Sequence, residues 1–275
     1  QFCNLSEVVI RPDDTLDLIS DKVRAATIIG TLQSTLTDFR YLNKNWKKNC
    51  EEERLLGVSL TGICDHEVFS GRNSGFYDSD ELTYSPYGLL EEWLEELKGV
   101  AISTNAEWSK KLCINPSTSI TCVKPSGTVS QLVNSANGIH PRYSRYYIRR
   151  IRLNKTDTIA QMMVAQKVAH EDSNSSPELE WVFSFPMESP DHAILRNDMT
   201  AIEQLELWKV YHEYWCEHKA SQTIYVRDWE WMEVGAWVYR HLDIMSGVSF
   251  LPYSEEDTIY TQMPYEEISF EKYKE

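Results

Sequence analysis

The sequence predicts an α/β fold, and three observations carry that expectation. Short apolar or alternating runs of strand length recur along the 275 residues, and most are followed by a longer stretch with apolar residues at helical spacing. Strands alternating with helices imply parallel β-α-β units. With 42% hydrophobic and 12% aromatic residues, the chain has the means to bury a core. A chain of this length suits one large domain or two small ones. No internal boundary stands out, so residues 1–275 are taken as one domain.

The elements follow in order. Alternation in Phe2 to Ile10 predicts a half-buried strand closed by Pro12. Asp13 or Asp14 then caps a helix reaching about Phe39, its buried stripe marked by Leu16, Ile19, Val23, Ala26 and Ile29. Residues 40–53 are polar and lysine-rich, as a connection would be, and 55–63 form a second strand candidate. Residues 69–85 have the turn composition of a surface loop. A helix is expected from Pro86 to about Lys111, with Glu91, Glu92, Glu95 and Glu96 as its solvated face. Beyond the strand Ile120–Val123, strands are expected at 143–153, 181–186, 222–226 and 247–251, and helices at 156–170, 201–218 and 229–242.

Composition excludes some functions. A net charge of −15 and a pI near 4.9 make the chain repel nucleic acid as a whole, so an anionic ligand has to be held locally. The six cysteines, at 3, 50, 64, 113, 122 and 216, include no Cys-x-x-Cys pair, which suggests a reduced, cytoplasmic protein. No apolar run approaches the roughly 18 residues of a membrane span. The opening Gln1 on strand-like sequence suggests a piece of a longer polypeptide.

The stretch that carries chemistry is "SITCVKPSGTVSQLV", residues 119–133, where an apolar strand runs into Pro125, Ser126, Gly127 and Thr128. A strand ending in a Gly-containing turn before a helix points backbone N–H groups outward. Gly127 offers positive φ and close approach to the main chain, while the hydroxyls of Ser126, Thr128 and Ser130 can donate to phosphate oxygens. The alternative is an ordinary turn with capping residues. It is not a Walker loop, because no Gly-Lys-Ser/Thr stands at that spacing.

"VKPSGTVSQL", with "NGIHPRYSRYYIRRIR" behind it, resembles the catalytic subunit of adenosylcobalamin-dependent (class II) ribonucleotide reductases, especially the monomeric ribonucleoside-triphosphate group. "QFCNLSEVV", "RLLGVSLTGICD" and "GVSFLPY" with "YTQMPYEEI" match in the same order, so the resemblance spans nearly the whole chain. It implies the second half of a ten-stranded α/β barrel whose turn, Ser126, Gly127, Thr128, Val129 and Ser130, receives the substrate's phosphates. It also implies that Cys3, on the first strand, is one of the two thiols that reduce the ribose. From the residues alone, a strand cysteine is more simply a small buried hydrophobe.

The same resemblance implies several partners: a ribonucleoside triphosphate, adenosylcobalamin as radical source, and a thioredoxin-like dithiol reductant. The other half of the barrel, with an Asn-Pro-Cys-x-Glu radical loop, is expected upstream, and a reducing cysteine tail beyond Glu275. This chain alone is therefore expected to make no deoxynucleotide. Class I enzymes carry adjacent tyrosines where this sequence has Ser249 and Phe250. That difference suits a radical made nearby. The rival readings are a glycyl-radical reductase fragment and a non-catalytic nucleotide-binding remnant or scaffold.

Other candidates carry less. Cys50, beside Lys47 and Lys48, is expected in an exposed loop, and Cys64, Cys113 and Cys122 in the core. His212 and Cys216 have i, i+4 spacing but no second metal-ligating pair. Arg142, Arg145, Arg149, Arg150 and Arg152 form the one dense positive cluster. Alternate strand residues point oppositely, so these arginines are expected to be structural or to act at long range.

Overall fold

A computed structural model describes residues 2–78, 83–253 and 262–275. The chain divides into two compact units, where the sequence showed no boundary: Gln1–Pro141 with His192–Tyr253, and Arg142–Asp191 with Ser254–Glu275.

The first unit contains β1 (Asn4–Val9), α1 (Leu16–Gln33), α2 (Lys44–Glu53), β2 (Leu56–Thr61), the hairpin β3 (Phe76–Asp78) and β4 (Thr83–Ser85), α3 (Gly88–Leu112), β5 (Thr121–Cys122) and α4 (Val129–Leu132). The second unit contributes β6 (Tyr146–Asn154), α5 (Thr158–Ala165), β7 (His170–Asp172) and β8 (Glu180–Glu188). The chain then returns to the first for α6 (Ala201–Val210), a π-helical turn (Tyr211–Trp215), β9 (Gln222–Val226), α7 (Trp231–Arg240) and β10 (Val248–Pro252). It ends in the second with β11 (Tyr265–Glu267) and α8 (Phe270–Lys274).

The parallel expectation holds in the first unit. β1, β2 and β5 form one parallel sheet, β9 and β10 pair in parallel, and a parallel bridge from Val123 to Ala220 connects the two sheets. β2 is buried at all six positions, as a strand covered on both faces must be. The core around it includes Ile10, Val23, Leu60, Leu94, Trp208 and Trp215. Trp208 and Trp215 bury their rings completely and still satisfy their indole N–H groups, on the carbonyls of Ala220 and Cys122, each at 2.8 Å. The second unit departs from the expectation: β11-β6-β8-β7 is a wholly antiparallel sheet. Alternation along a strand has the same period in either orientation, so the sequence pattern carried no sign of the difference.

Several local expectations need correction. Thr15 caps α1, accepting from the Leu18 amide, while Asp14 accepts from Arg11 N at 2.7 Å and pairs with Lys22 at 2.5 Å. α1 stops at Gln33, and Ile29 is exposed, the buried stripe instead using Thr27, Gly30 and Thr31. The polar stretch before β2 is mostly the helix α2, capped by Asn43 and carrying the i, i+4 pairs Lys47–Glu51 and Lys48–Glu52. Cys50 on that helix is buried, whereas Cys113 is exposed at the left-handed C-cap of α3. The expected loop at 69–85 contains the hairpin β3–β4, and its residues 79–82 lie outside the described residues. Among the described residues, no helix is long and apolar enough to cross a membrane.

Candidate active site

The site is built on the ends of the parallel strands in the first unit. Leaving β5, the chain passes Lys124, whose amide donates to the Ser59 hydroxyl at 2.9 Å, and enters the turn at Pro125. Positive φ falls on Ser126, at 52°, rather than on Gly127. A β-carbon added to Gly127 would meet nothing within 4 Å, so this glycine leaves the main chain open to a ligand. The amides of Gly127 and Thr128 donate to no acceptor among the described residues. Val129 is exposed. Ser130 is fully buried, its hydroxyl against the Ser126 carbonyl and Asn137 Oδ1, and it faces inward where the other four turn residues face out or line the cleft.

That cleft, of about 460 Å³, is lined by Ser126, Gly127, Thr128 and Val129, by Lys124 and Ser59, and by Leu5, Ser6 and Glu7 of β1. Lys124 makes no ion pair among the described residues, although the chain is acidic overall. The buried hydroxyls of Ser6 and Ser126 have no hydrogen-bond partner at normal distance. Burial pushes the Glu7 carboxyl up, and the nearby Ser126 hydroxyl offsets part of that rise.

Cys3 stands immediately before β1 and is exposed. It lines a second cleft, of about 360 Å³, with Phe2, Asn4, Ser34, Phe39 and Cys50. The thiol and the turn therefore do not share a cleft. Two observations connect them. Leu5 and Glu7 line the turn's cleft, and strand alternation puts Cys3 on the same side as those two residues. Lys124, from the same cleft, is near enough to help hold the Cys3 thiol below its ordinary pKa. The larger cause is His218, whose Nε2 lies 3.8 Å from Sγ, and burial acts in the opposite direction. Cys3 Sγ also lies 3.7 Å from the Leu56 carbonyl. Cys122, buried on β5, contrasts with it: burial pushes its thiol up to about 12.

The sequence marked Cys3 and the turn, yet nothing in it singled out His218, Glu7 or Lys124 as members of the site. Their proximity comes from the strand order β1-β2-β5 and from the return of the chain after α6, neither of which a local spacing encodes. His212 and Cys216 take structural positions: the His212 ring stacks on Trp208 at 5.0 Å, and Cys216 is buried. The arginines serve the second unit. Arg145 pairs with Glu188 and Asp191, and Arg150 with Glu266; Arg149 and Arg152 donate to the carbonyls of Pro264 and Gln262.

No family model matches the chain. Curated relatives do. The adenosylcobalamin-dependent ribonucleoside-triphosphate reductase of Euglena gracilis is 28% identical over 279 residues, covering 100% of this chain and 35% of that protein. A probable reductase of the same name from Dictyostelium discoideum is 30% identical over 227 residues, covering 81% of this chain and 27% of that protein. The Lactobacillus leichmannii reductase is 27% identical, with 91% and 36% covered. The crystal structure of a B12-dependent (class II) ribonucleotide reductase superposes with a TM-score of 0.76 at 22% identity, over 99% of this chain and 39% of that one. The α subunit of an Actinobacillus ureae class Id ribonucleotide reductase superposes with a TM-score of 0.53 at 9% identity, over 88% and 46%. The chain thus spans about a third of the length of the curated relatives it matches.

Proposed function

We propose that this chain, homologous along its length to part of the adenosylcobalamin-dependent ribonucleoside-triphosphate reductases, supplies that reaction with one reducing thiol, Cys3, and with the phosphate-binding turn 126–130. The observation that carries the reading is the arrangement along β1. Glu7 and Leu5 face a cleft with unused amides and an unpaired lysine, and a thiol with a lowered pKa follows on the same side.

Two ends of one ligand suit this arrangement. The triphosphate is an anion that needs cations and N–H donors, which Lys124, Gly127 and Thr128 offer. The ribose needs electrons. Replacing its 2′-hydroxyl with hydrogen releases water and consumes two electrons and two protons. Two thiols provide both as they close to a disulfide: Cys3 and a partner each lose one hydrogen, and one S–S bond forms. A dithiol reductant of the thioredoxin kind then returns both hydrogens and becomes a disulfide itself.

Adenosylcobalamin appears in the relatives' names as the cofactor they depend on. The two clefts, one lined by Leu5, Val129, Glu7, Lys124 and small hydroxyl residues and the other by Phe2, Phe39, Leu36 and small residues, place no set of side chains that would clamp both faces of a corrin ring. The residues of this chain therefore serve the ribose, through the Cys3 thiol, and the phosphate end of the substrate.

The test is complementation. This chain, combined with the remaining portion of a relative's barrel, adenosylcobalamin and a dithiol, is expected to convert a ribonucleoside triphosphate to its 2′-deoxy product. Cys3→Ser should abolish multiple turnover while triphosphate binding persists. Binding without any product in the wild-type combination would instead favour a nucleotide-binding remnant.

A further inference from the structure

The surroundings of Cys3 contain a second group whose chemistry the proposed function does not yet use. His218 lies 215 residues from Cys3 in sequence, at the point where the chain leaves the π-helical turn for β9. Its backbone is held against the strand β5. Its own amide and that of Glu217 donate to the Thr121 carbonyl, each at 3.1 Å, and the Glu217 carboxylate accepts from the Ile120 amide at 2.7 Å. The loop is thereby pinned to β5, and the imidazole stands with Nε2 3.8 Å from Cys3 Sγ.

We propose that His218 is the positioning residue for Cys3, holding the sulfur as the preferred leaving group when the reducing disulfide is reopened. The inference rests on the reading of Cys3 as a reducing thiol. In that exchange an incoming dithiol thiolate attacks one sulfur of the Cys3–partner disulfide. A new S–S bond forms at the attacked sulfur, the old bond breaks, and its electron pair passes to the sulfur that leaves. Exchange favours the leaving sulfur with the more stable thiolate. His218, as imidazolium, stabilises charge on Cys3, so attack is directed to the partner sulfur and Cys3 is released first. The reductant's second thiol then attacks the mixed disulfide, closes the reductant's own disulfide and frees the partner.

The charge environment agrees with this geometry. Contact with Cys3 is the largest influence on His218 and raises its pKa, burial lowers it, and the carbonyls of Leu56 and Ser119 raise it further. The other groups around Cys3 have smaller effects or other duties. Lys124 lowers the Cys3 thiol less than His218 does. Cys122 is buried with its thiol raised to about 12. Glu217 is engaged with the Ile120 amide. Cys50 lines the same cleft but is itself buried.

The test reads thiol chemistry rather than turnover. In a Cys113→Ser background, which removes the other exposed cysteine, iodoacetamide alkylation of Cys3 is followed against pH by peptide mass spectrometry. The midpoint should lie below that of an ordinary thiol. His218→Gln should move it up and slow alkylation at pH 7 on the order of threefold, and Lys124→Met should move it less. Should His218→Gln fail to fold, NMR titration of His218 supplies the reciprocal measurement, with its midpoint falling in Cys3→Ser. A Cys3 midpoint indifferent to His218→Gln, or a His218 midpoint indifferent to Cys3→Ser, overturns the inference. Product formation that survives Cys3→Ser in the complemented enzyme would overturn the reducing role instead, leaving the measured coupling as it stands.

Discussion

The cations of the two units have different surroundings. In the second, Arg145 lies against Glu188 and Asp191, Arg150 against Glu266 and Lys155 against Asp172. In the first, Lys22 pairs with Asp14 and Arg227 with Glu230, whereas Lys124, like several other cations of that unit, makes no ion pair among the described residues; what distinguishes it is that it lines the cleft of the turn. It stands beside the Gly127 and Thr128 amides, which donate to no acceptor among the described residues, and beside the Ser6 hydroxyl. These groups line one cleft, and they are the ones the proposed phosphate-binding turn would use. The arginine cluster, conspicuous in the sequence, holds a sheet together. A single lysine that no composition count would notice holds the more informative place.

Breaking the first unit's core should have the largest effect. Trp215 is fully buried and its indole bonds the Cys122 carbonyl at 2.8 Å, next to the strand that carries the turn. Trp215→Ala is expected to destabilise by about 3–5 kcal/mol. Urea titration with amide hydrogen exchange should show β5 and β9 losing protection while β6 and β8 keep theirs. Equal loss across both sheets would mean that the two units unfold as one.

The next effect sharpens the contrast in charge. Lys124→Ala should weaken binding of a ribonucleoside triphosphate such as CTP about tenfold, equivalent to ~1.4 kcal/mol, by calorimetry. The loss should diminish in high salt, because the interaction is largely between charges. Unchanged affinity would remove Lys124 from the site.

A smaller change belongs to the second unit and depends on pH. Arg150 holds the Glu266 carboxyl below its ordinary value near 4.5, with a further contribution from Lys272. A carboxyl whose folded pKa is depressed adds stability that is fully present above the ordinary value and lost as pH falls through the lowered one. Arg150→Met should therefore reduce stability at neutral pH by about 1 kcal/mol and make the acid-side decline shallower. An acid limb as steep as the wild type's would show that the pair contributes nothing.

How much of this was legible beforehand depended on how local the cause is. The strand Gln222–Val226 matches its sequence run residue for residue, since alternation and burial there agree. α2 escaped notice because a helix of lysines, glutamates and asparagines has almost no apolar stripe. Its cap at Asn43 and its i, i+4 charge pairs were the only signals. The turn stood out from its local pattern and was strengthened by the resemblance, whereas Cys3 was found through the resemblance and would otherwise have passed for a packing residue. His218 could not be found that way, because its neighbour in space is 215 residues distant in sequence.

The smallest expected effect completes the comparison of the two lysines. Lys155 pairs with Asp172 at 2.6 Å and lies 5.4 Å from the centre of the Trp181 ring, so its charge has a partner and its stem a surface to lie on. Both members of that pair meet solvent, Asp172 with 61% of its side chain exposed, and exposed pairs gain little over their hydrated separated charges. Lys155→Ala should thus change stability by less than about 0.5 kcal/mol and leave triphosphate affinity alone. If Lys155→Ala weakened triphosphate binding as much as Lys124→Ala does, the attraction would belong to net charge rather than to a site. The distinction between a paired and an unpaired lysine would then lose its meaning, because in an acidic chain any removed cation would serve equally well.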